Sequence, residues 1–359
     1  MHLPIVSSVA VLLVACQPPI YDARSVPLPR SSLAAEGLDA THWDNAIAEI
    51  RERDLPVDSL LVTRGGQLVA EHHRPPYDRT ALHDLRSSTK SITSLLVGQA
   101  IDRGLIASVD EPVQSFFPER TPPPSWSEGR ALRIEDLLTM QSGLDCNDSD
   151  DVSRGNEERM YGTNDWIGFF FDLPRTHPPG ARFSYCTAGV VVLGEIVARV
   201  AERPLPDVAE EWLFGPLGIH EARWDPAPGG VTDAGGHLEL SAESLSKVAL
   251  LALNRGRHDG EQLVSEGYID AMLDVHTTLV PEGQPGPRYG YLFWLEPVVD
   301  GEVRSFQTRG NGGQFAFAFP RYDAVITFTG HAYNDDAAQA AFFEVTARHL
   351  IPLVHRGAP

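Results

Sequence analysis

The four residues Ser87-Ser88-Thr89-Lys90 begin an apolar-periodic segment that reaches residue 103 and is predicted to be a helix. Side chains three positions apart are neighbours on a helix, so the Lys90 ammonium is expected beside the Ser87 hydroxyl. Free backbone N–H groups and the positive end of the helix dipole lie at the same place. A lysine whose neutral form is favoured by burial or nearby positive charge can help to remove the hydroxyl proton. Alone, the pattern also occurs by chance at serine-rich helix starts.

Three other segments place candidate functional residues in order along the chain. They are Leu137-Leu138-Thr139-Met140-Gln141-Ser142-Gly143-Leu144, then Phe183-Ser184-Tyr185-Cys186-Thr187-Ala188-Gly189, then Arg309-Gly310-Asn311-Gly312-Gly313-Gln314. Together with the first motif they resemble the β-lactamase and penicillin-recognising serine hydrolase superfamily, for which Ser-x-x-Lys is a signature. The resemblance covers residues 40–350 and is greatest to the branch of class C β-lactamases, DD-peptidases, esterases and 6-aminohexanoate-dimer hydrolase.

The resemblance implies a role for each matching residue. Ser87 would be the nucleophile, Lys90 would share its proton, and Tyr185 would act as general base and acid. The triplet Asn311-Gly312-Gly313 would replace the family's Lys-Thr-Gly strand, whose backbone binds the acyl chain edge-on. The backbone N–H groups of Ser87 and Gln314 would form the oxyanion hole. This chemistry needs no metal and no organic cofactor, so none is expected.

Two positions depart from the family pattern. Thr187, expected in the substrate site, stands where the family's Tyr-x-Asn motif has asparagine, and Asn311 stands where Lys-Thr-Gly has its cation. In lactamases that cation helps to hold the substrate carboxylate, so neutral esters or amides are expected to be better substrates than β-lactams. Arg309 is two residues before Asn311 and, on a strand, would face the same side, where it could restore the charge.

Strands are predicted near both ends of the chain and helices in its middle. Residues 59–63 and 67–70 flank a glycine pair and predict a hairpin. The expected fold class is α+β and β-lactamase-like: an antiparallel sheet flanked by helices, plus a mostly helical lobe, with the active site in the cleft between them. The acid-rich residues 145–164 predict a loop with a binding or lid role. Further strands are predicted at residues 302–306, 315–319 and 324–329, and helices at residues 39–54, 87–103, 134–140, 188–200, 241–254 and 336–350.

The first residues predict export. Residues 1–16 are expected to form a signal peptide whose end, Leu13-Val14-Ala15-Cys16, resembles the bacterial lipobox, so Cys16 is the candidate lipidation site. An ordinary cleaved signal peptide is the alternative, and the positive charge usual at its start is nearly absent. Residues 17–36 are expected to be a tether, and residues 37–355 the catalytic domain. The protein is therefore expected in the periplasm or outside the cell, in contact with the membrane only through the anchor.

Composition limits the partners. The chain has 29 Lys+Arg against 49 Asp+Glu, a formal net charge of -20, and no basic cluster, which argues against nucleic acid. The 13 histidines lack ligand spacing, so no metal site is expected. Cys146 and Cys186 either form a disulfide in an oxidising compartment or are two buried thiols. The expected partner is a small-molecule or peptide-like substrate.

Three functions remain open at this point. The first is an amide or ester hydrolase that forms an acyl-enzyme on Ser87. The second is a penicillin-binding or sensing domain that is acylated but hardly turns over. The third is a non-catalytic cell-surface binding protein that has kept the fold.

Overall fold

A computed structural model describes residues 25–224, 226–279, 286–299 and 302–355. The predicted signal peptide, Cys16 and the first part of the predicted tether lie outside these residues. Residues 25–36 do not form a tether, because they pack against the domain. The Val26 N–H donates to the Gly218 carbonyl at 2.8 Å, Leu28 is buried, and Lys247 donates to the Val26 carbonyl. The folded unit therefore includes residues before 37.

The main sheet has eight strands in the order β2-β1-β13-β12-β11-β10-β9-β8, all paired antiparallel. Two small sheets have the orders β3-β5-β4 and β6-β7. The strands are β1 (Val57–Arg64), β2 (Gln67–His73), β3 (His83–Asp84), β4 (Arg223–Trp224), β5 (Leu238–Leu240), β6 (Arg257–His258), β7 (Glu261–Gln262), β8 (Thr277–Thr278), β9 (Arg288–Tyr289), β10 (Trp294–Val299), β11 (Glu302–Gly310), β12 (Gln314–Phe319) and β13 (Ala324–Gly330).

The helices cover the sheet and form a second lobe. Three-residue to five-residue 3-10 or π segments occur at Arg86–Ser88, Val113–Phe116, Pro124–Ser127, Glu210–Phe214, Pro228–Gly230, Pro320–Tyr322 and Thr346–Leu350. The α-helices are α1 (Ala40–Glu52), α2 (Thr89–Asp102), α3 (Ile134–Leu138), α4 (Glu157–Tyr161), α5 (Trp166–Phe171), α6 (Thr187–Ala201), α7 (Leu205–Ala209), α8 (Ala242–Leu253), α9 (Glu266–Met272), α10 (Asp336–Val345) and α11 (Ile351–Val354).

Alternation along the central strands creates a core on each face of the sheet. On β1, Leu60 and Val62 belong to the smaller core under α1, α10 and α11, whereas Leu61 belongs to the larger core shared with the helical lobe. Helix α8 packs against β13 and β12 on that second face. The predicted fold class, an antiparallel sheet from both chain ends with a helical lobe between them, is confirmed.

Local signals explain where the helices begin. Asp39 caps α1 by accepting the Thr41 N–H, and Asp335 caps α10 by accepting the Ala338 N–H. Helix α2 is almost wholly buried, because it passes between the sheet and the helical lobe. Within the described part of the chain, no helix is both long and apolar enough to cross a membrane.

Candidate active site

Ser87 lies in the 3-10 turn Arg86–Ser88 that leads into α2. Arg86 has a positive φ of 48°, which an L-residue rarely adopts, and its N–H donates to the Asp84 carboxylate at 2.9 Å. The Ser88 hydroxyl donates to the Gln314 carbonyl at 2.6 Å and so ties this turn to β12. Ser87 is therefore presented at a sharp turn that is held from both sides.

Lys90 lies under Ser87, as their three-residue spacing predicts. Its Nζ donates to the Ser87 Oγ at 2.9 Å and to the Gly235 carbonyl at 2.7 Å. The Nζ is 5.0 Å from the centre of the Tyr185 ring. The side chain is 1% exposed. The structure therefore brings Tyr185, which is distant in the sequence, to Ser87 and Lys90.

Acidic groups around Lys90 oppose the effect of burial on its pKa. Burial acts to lower the pKa of Lys90, but the charges of Tyr185, Glu157, Asp148 and Asp233 outweigh it, so this pKa lies above its ordinary value. The surroundings of Lys90 therefore favour its charged form, although burial alone acts against it. As a cation that donates a hydrogen bond to the Ser87 Oγ, Lys90 stabilises negative charge on that oxygen.

Two half-buried acidic residues, Asp148 and Glu157, contact Thr187 beside Lys90. The Asp148 carboxylate accepts the Thr187 N–H at 2.7 Å and the Glu157 N–H at 3.1 Å. The Thr187 hydroxyl donates to the Glu157 carboxylate at 2.8 Å. Burial, together with the charge of Glu157, raises the pKa of Asp148 to about 6. The threonine that replaces the family's asparagine is therefore a link between two carboxyl groups.

We expect Asp148→Asn to flatten the dependence of stability on pH. Because the pKa of Asp148 rises from 3.8 to about 6 on folding, the folded protein holds this proton more tightly than the unfolded chain. The stabilisation is complete below about pH 4 and is lost as the pH rises through about 6. Urea unfolding between pH 4 and 7 measures it, with Asp151→Asn, an exposed neighbour, as control. Equal slopes in the Asp148→Asn variant and the unmutated protein would contradict the assignment.

Ser87 borders two cavities. The large cavity has a volume of about 760 Å³ and the small cavity about 150 Å³, and both are bordered by Ser87, Asn311 and Asn334. The large cavity is further lined by Asp148, Ser149, Tyr185, Trp294, Glu296, Arg309, Gly310, Phe315, Asp336, Gln339, Ala340 and Phe343. The small cavity is further lined by Arg86, Glu157, Glu158, Tyr161, Gly235, Gly236, His237 and Tyr333.

Arg309 borders the large cavity, but its charge is already paired. Its Nη2 lies 2.6 Å from the Glu296 Oε1, and its guanidinium lies over the rings of Trp294 and Phe343 at 4.7 and 4.8 Å. A substrate carboxylate would compete with Glu296 for the same guanidinium. Arg309 therefore does not replace the lysine of the family's Lys-Thr-Gly motif as an unpaired cation.

The predicted second oxyanion donor, Gln314, does not reach either cavity. Gln314 is fully buried and pairs with Gly310 across β11 and β12. The Asn311 N–H and the Ser87 N–H both belong to cavity-lining residues, and neither donates to another protein group among the described residues. Of these two positions, Asn311 and not Gln314 lies on the cavity lining that includes Ser87.

Three other predicted substrate-binding residues, Gly312, Gly313 and Thr187, lie behind the residues that line the cavities. Gly312 and Gly313 have φ of 94° and 92°, which glycine adopts readily, and a side chain on Gly313 would collide with Phe342. Thr187 is fully buried. None of the three borders the two cavities, whereas Asn311 borders both. The side-chain Nδ2 of Asn311 donates to the Asn334 Oδ1 at 2.7 Å.

A disulfide joins Cys146 and Cys186, the two candidates from the sequence, with Cα atoms 5.4 Å apart. Cys186 directly follows Tyr185, and Cys146 lies two residues before Asp148. The bond therefore fastens the acid-rich loop to the segment that carries the tyrosine.

We expect loss of this disulfide to lower the free energy of unfolding by about 3–4 kcal/mol, because it closes a loop with a sequence separation of 40. Urea unfolding of the Cys146→Ser, Cys186→Ser double variant against the oxidised protein measures the loss. Non-reducing peptide mapping is the control. Alkylation of both cysteines without prior reduction would contradict the bond.

The sequence did not indicate several residues of the site. Trp294 and Phe343 supply the aromatic wall of the large cavity, Tyr333 borders the small one, and the Gly235 carbonyl binds Lys90. Only the acid-rich loop gave a signal, since Asp148 lies in it. Across residues 25–224, 226–279, 286–299 and 302–355, no group of three or more His, Cys, Asp or Glu side chains is placed to hold a metal ion.

Comparisons with known proteins agree with this geometry. The 6-aminohexanoate-dimer hydrolase of Paenarthrobacter ureafaciens is 27% identical over 299 residues, which cover 77% of this chain and 73% of that protein. A penicillin-binding protein from Bacillus halodurans superposes with a TM-score of 0.67 at 20% identity, covering 83% of this chain and 99% of that one. EstCE1, a hydrolase with promiscuous acyltransferase activity, superposes with a TM-score of 0.70 at 16% identity, covering 86% and 97%. The sequence profile of the family described as Beta-lactamase matches residues 43–345. The chain therefore belongs to the Beta-lactamase family of hydrolases.

Proposed function

We propose that this protein is a serine hydrolase that cleaves an amide or ester bond through an acyl-enzyme on Ser87. The observation that carries the proposal is the 2.9 Å hydrogen bond from the buried Lys90 ammonium to the Ser87 Oγ, at a point that opens onto a 760 Å³ cavity. Burying a charge is unfavourable unless the charge is paired. A buried ammonium that donates to a hydroxyl on the lining of a cavity therefore indicates a functional role for both groups.

The first half-reaction makes the acyl-enzyme. The Ser87 Oγ bonds to the substrate carbonyl carbon while its proton passes to the Tyr185 oxygen, on the ring whose centre lies 5.0 Å from the Lys90 Nζ. The negative carbonyl oxygen accepts hydrogen bonds from the Ser87 and Asn311 N–H groups. The bond to the leaving oxygen or nitrogen then breaks, and Tyr185 returns the proton to that atom.

The second half-reaction releases the acid. Water takes the place of the leaving group, gives a proton to Tyr185 and bonds to the carbonyl carbon. The carbon–oxygen bond to Ser87 breaks, and the serine oxygen takes the proton back from Tyr185. Lys90 stays charged throughout and stabilises the Ser87 oxygen whenever it is negative.

The proposed substrates are neutral at the end of the cleft near Asn311. Asn311 carries no charge, and Arg309 is paired with Glu296 at 2.6 Å. The similarity to 6-aminohexanoate-dimer hydrolase supports an amide substrate, and attack by a serine hydroxyl suits an ester equally.

We expect a fluorophosphonate probe to label Ser87 and kcat/KM to be higher for p-nitrophenyl acetate than for nitrocefin. A carboxylate without a free cation loses a charge-assisted hydrogen bond, or about ten- to a hundred-fold in binding. Steady-state kinetics on both substrates measure the ratio. Labelling without turnover would indicate a penicillin-binding sensor, and no labelling would indicate a binding protein. A preference for nitrocefin would contradict the assignment of substrate charge.

Export and lipid anchoring at Cys16 are also proposals. They draw on the sequence at residues 1–16, and the disulfide supports an oxidising compartment.

A further inference from the structure

The two cavities that meet at Ser87 differ in size and in their access to Tyr185. The large cavity, at about 760 Å³, is within the usual range for a small-molecule site, whereas the small cavity, at about 150 Å³, is below it. The small cavity has room for roughly five water molecules at their volume in the liquid. Tyr185 lines the large cavity and not the small one.

The position of Tyr185 decides which part of the substrate enters which cavity. A leaving alkoxide or amine must receive its proton from the general acid, so it must lie within hydrogen-bond reach of the tyrosine. That condition holds in the large cavity. The acyl group lies on the other side of the carbonyl carbon, which places it in the small cavity. Water can then enter the emptied large cavity and meet the same tyrosine.

The walls of the small cavity are held by contacts between side chains. The Arg86 guanidinium lies 5.0 Å from the centre of the Tyr333 ring, and the rings of Tyr161 and His237 meet edge to face at 5.7 Å. His237 is fastened by Asp233, with 2.7 Å between its Nδ1 and the carboxylate. Tyr333 is one of the exposed residues that form the outer wall of this cavity, together with Glu158, His237 and Asn334.

The large cavity suits a bulky leaving group. The Tyr185 and Trp294 rings stack at 6.1 Å, and Phe315 and Phe343 meet at 5.1 Å on the same lining. Aromatic faces of this kind bind apolar or aromatic groups.

We infer that the protein selects substrates with a short acyl group and a bulky, apolar or aromatic leaving group, and that Tyr333 limits the length of the acyl chain. This inference rests on the proposed function, since it assigns the two sides of the bond that Ser87 attacks.

The test uses p-nitrophenyl acetate, butanoate and octanoate, which share one leaving group. We expect kcat/KM to be at least about tenfold lower for octanoate than for acetate. Tyr333→Ala is expected to raise the octanoate-to-acetate ratio by about tenfold, because it opens the outer wall. The Tyr333 side chain is 39% exposed, so its removal leaves the core intact.

The matched control narrows the other cavity. Ala340 lies on α10 and lines the large cavity only. Ala340→Trp is expected to leave the octanoate-to-acetate ratio unchanged and to lower kcat/KM for 2-naphthyl acetate relative to methyl acetate.

The inference is overturned if the unmutated protein prefers octanoate, if Tyr333→Ala leaves the acyl-chain ratio unchanged, or if Ala340→Trp changes it. Fluorophosphonate labelling of Ser87 in each variant separates the two proposals. Labelled protein with the wrong chain-length order contradicts only the assignment of the cavities, whereas unlabelled protein contradicts the serine mechanism itself.

Discussion

Ser87→Ala is expected to abolish both ester hydrolysis and fluorophosphonate labelling, with a fall in kcat of at least about 10⁴-fold. The substitution removes the only atom that bonds to the substrate in the proposed reaction. Lys90 keeps its hydrogen bond to the Gly235 carbonyl at 2.7 Å, so its buried charge retains a partner and the fold should persist. Steady-state kinetics measure the loss, and circular dichroism with urea unfolding shows whether the fold persists.

Ser88→Ala is the matched control, since it removes a hydroxyl from the adjacent residue. The Ser88 hydroxyl is fully buried and donates to the Gln314 carbonyl at 2.6 Å, so its loss should lower stability and leave labelling intact. If turnover survived in Ser87→Ala and disappeared in Ser88→Ala, the nucleophile would be Ser88 and not Ser87.

Tyr185→Phe is expected to lower kcat by about 10²–10⁴-fold and to change KM little, because the phenol moves protons in the transition state and does not bind substrate. The ring itself remains, together with its contact to Lys90 and its stacking on Trp294 at 6.1 Å. The loss therefore reports on the oxygen atom alone. Kinetics on p-nitrophenyl acetate give both constants.

Tyr289→Phe provides the control for Tyr185→Phe. Tyr289 belongs to the same aromatic cluster, with its ring 5.2 Å from Trp294, but it does not border either cavity. Its variant should keep kcat. If Tyr185→Phe raised KM alone, Tyr185 would only position the substrate.

Much of the fold follows from local patterns in the sequence. The sequence predicts a strand where apolar and polar residues alternate or where a glycine turn comes first. One or the other holds for the hairpin of β1 and β2 and for the strands β11, β12 and β13. Strand β10 could not, because Pro297 lies inside it and proline normally argues against a strand interior. Strands β8 and β9 have two residues each, which is too short for any periodicity.

The candidate site also has one part that the sequence predicts and another that only the folded chain shows. Ser87 and Lys90 are three residues apart on one helix, so a local rule relates them. The pKa of Lys90 depends on burial and on Tyr185, Glu157, Asp148 and Asp233, which come from separate segments and meet only in the folded chain. The oxyanion amide depends on which residue of the 311–313 turn faces the cavity, and spacing within a motif does not determine that.

The pairing of β1 with β13 has a consequence for how the protein is made. The residue partners Val57 and Gly330 are far apart in the sequence, so this strand pair closes only after Gly330 has been synthesised. At about 5–20 residues per second, translation from one to the other takes on the order of tens of seconds. During that time the N-terminal hairpin exposes an unpaired, apolar edge, which is a template for aggregation. Chaperone binding to the nascent hairpin would protect that edge until β13 arrives.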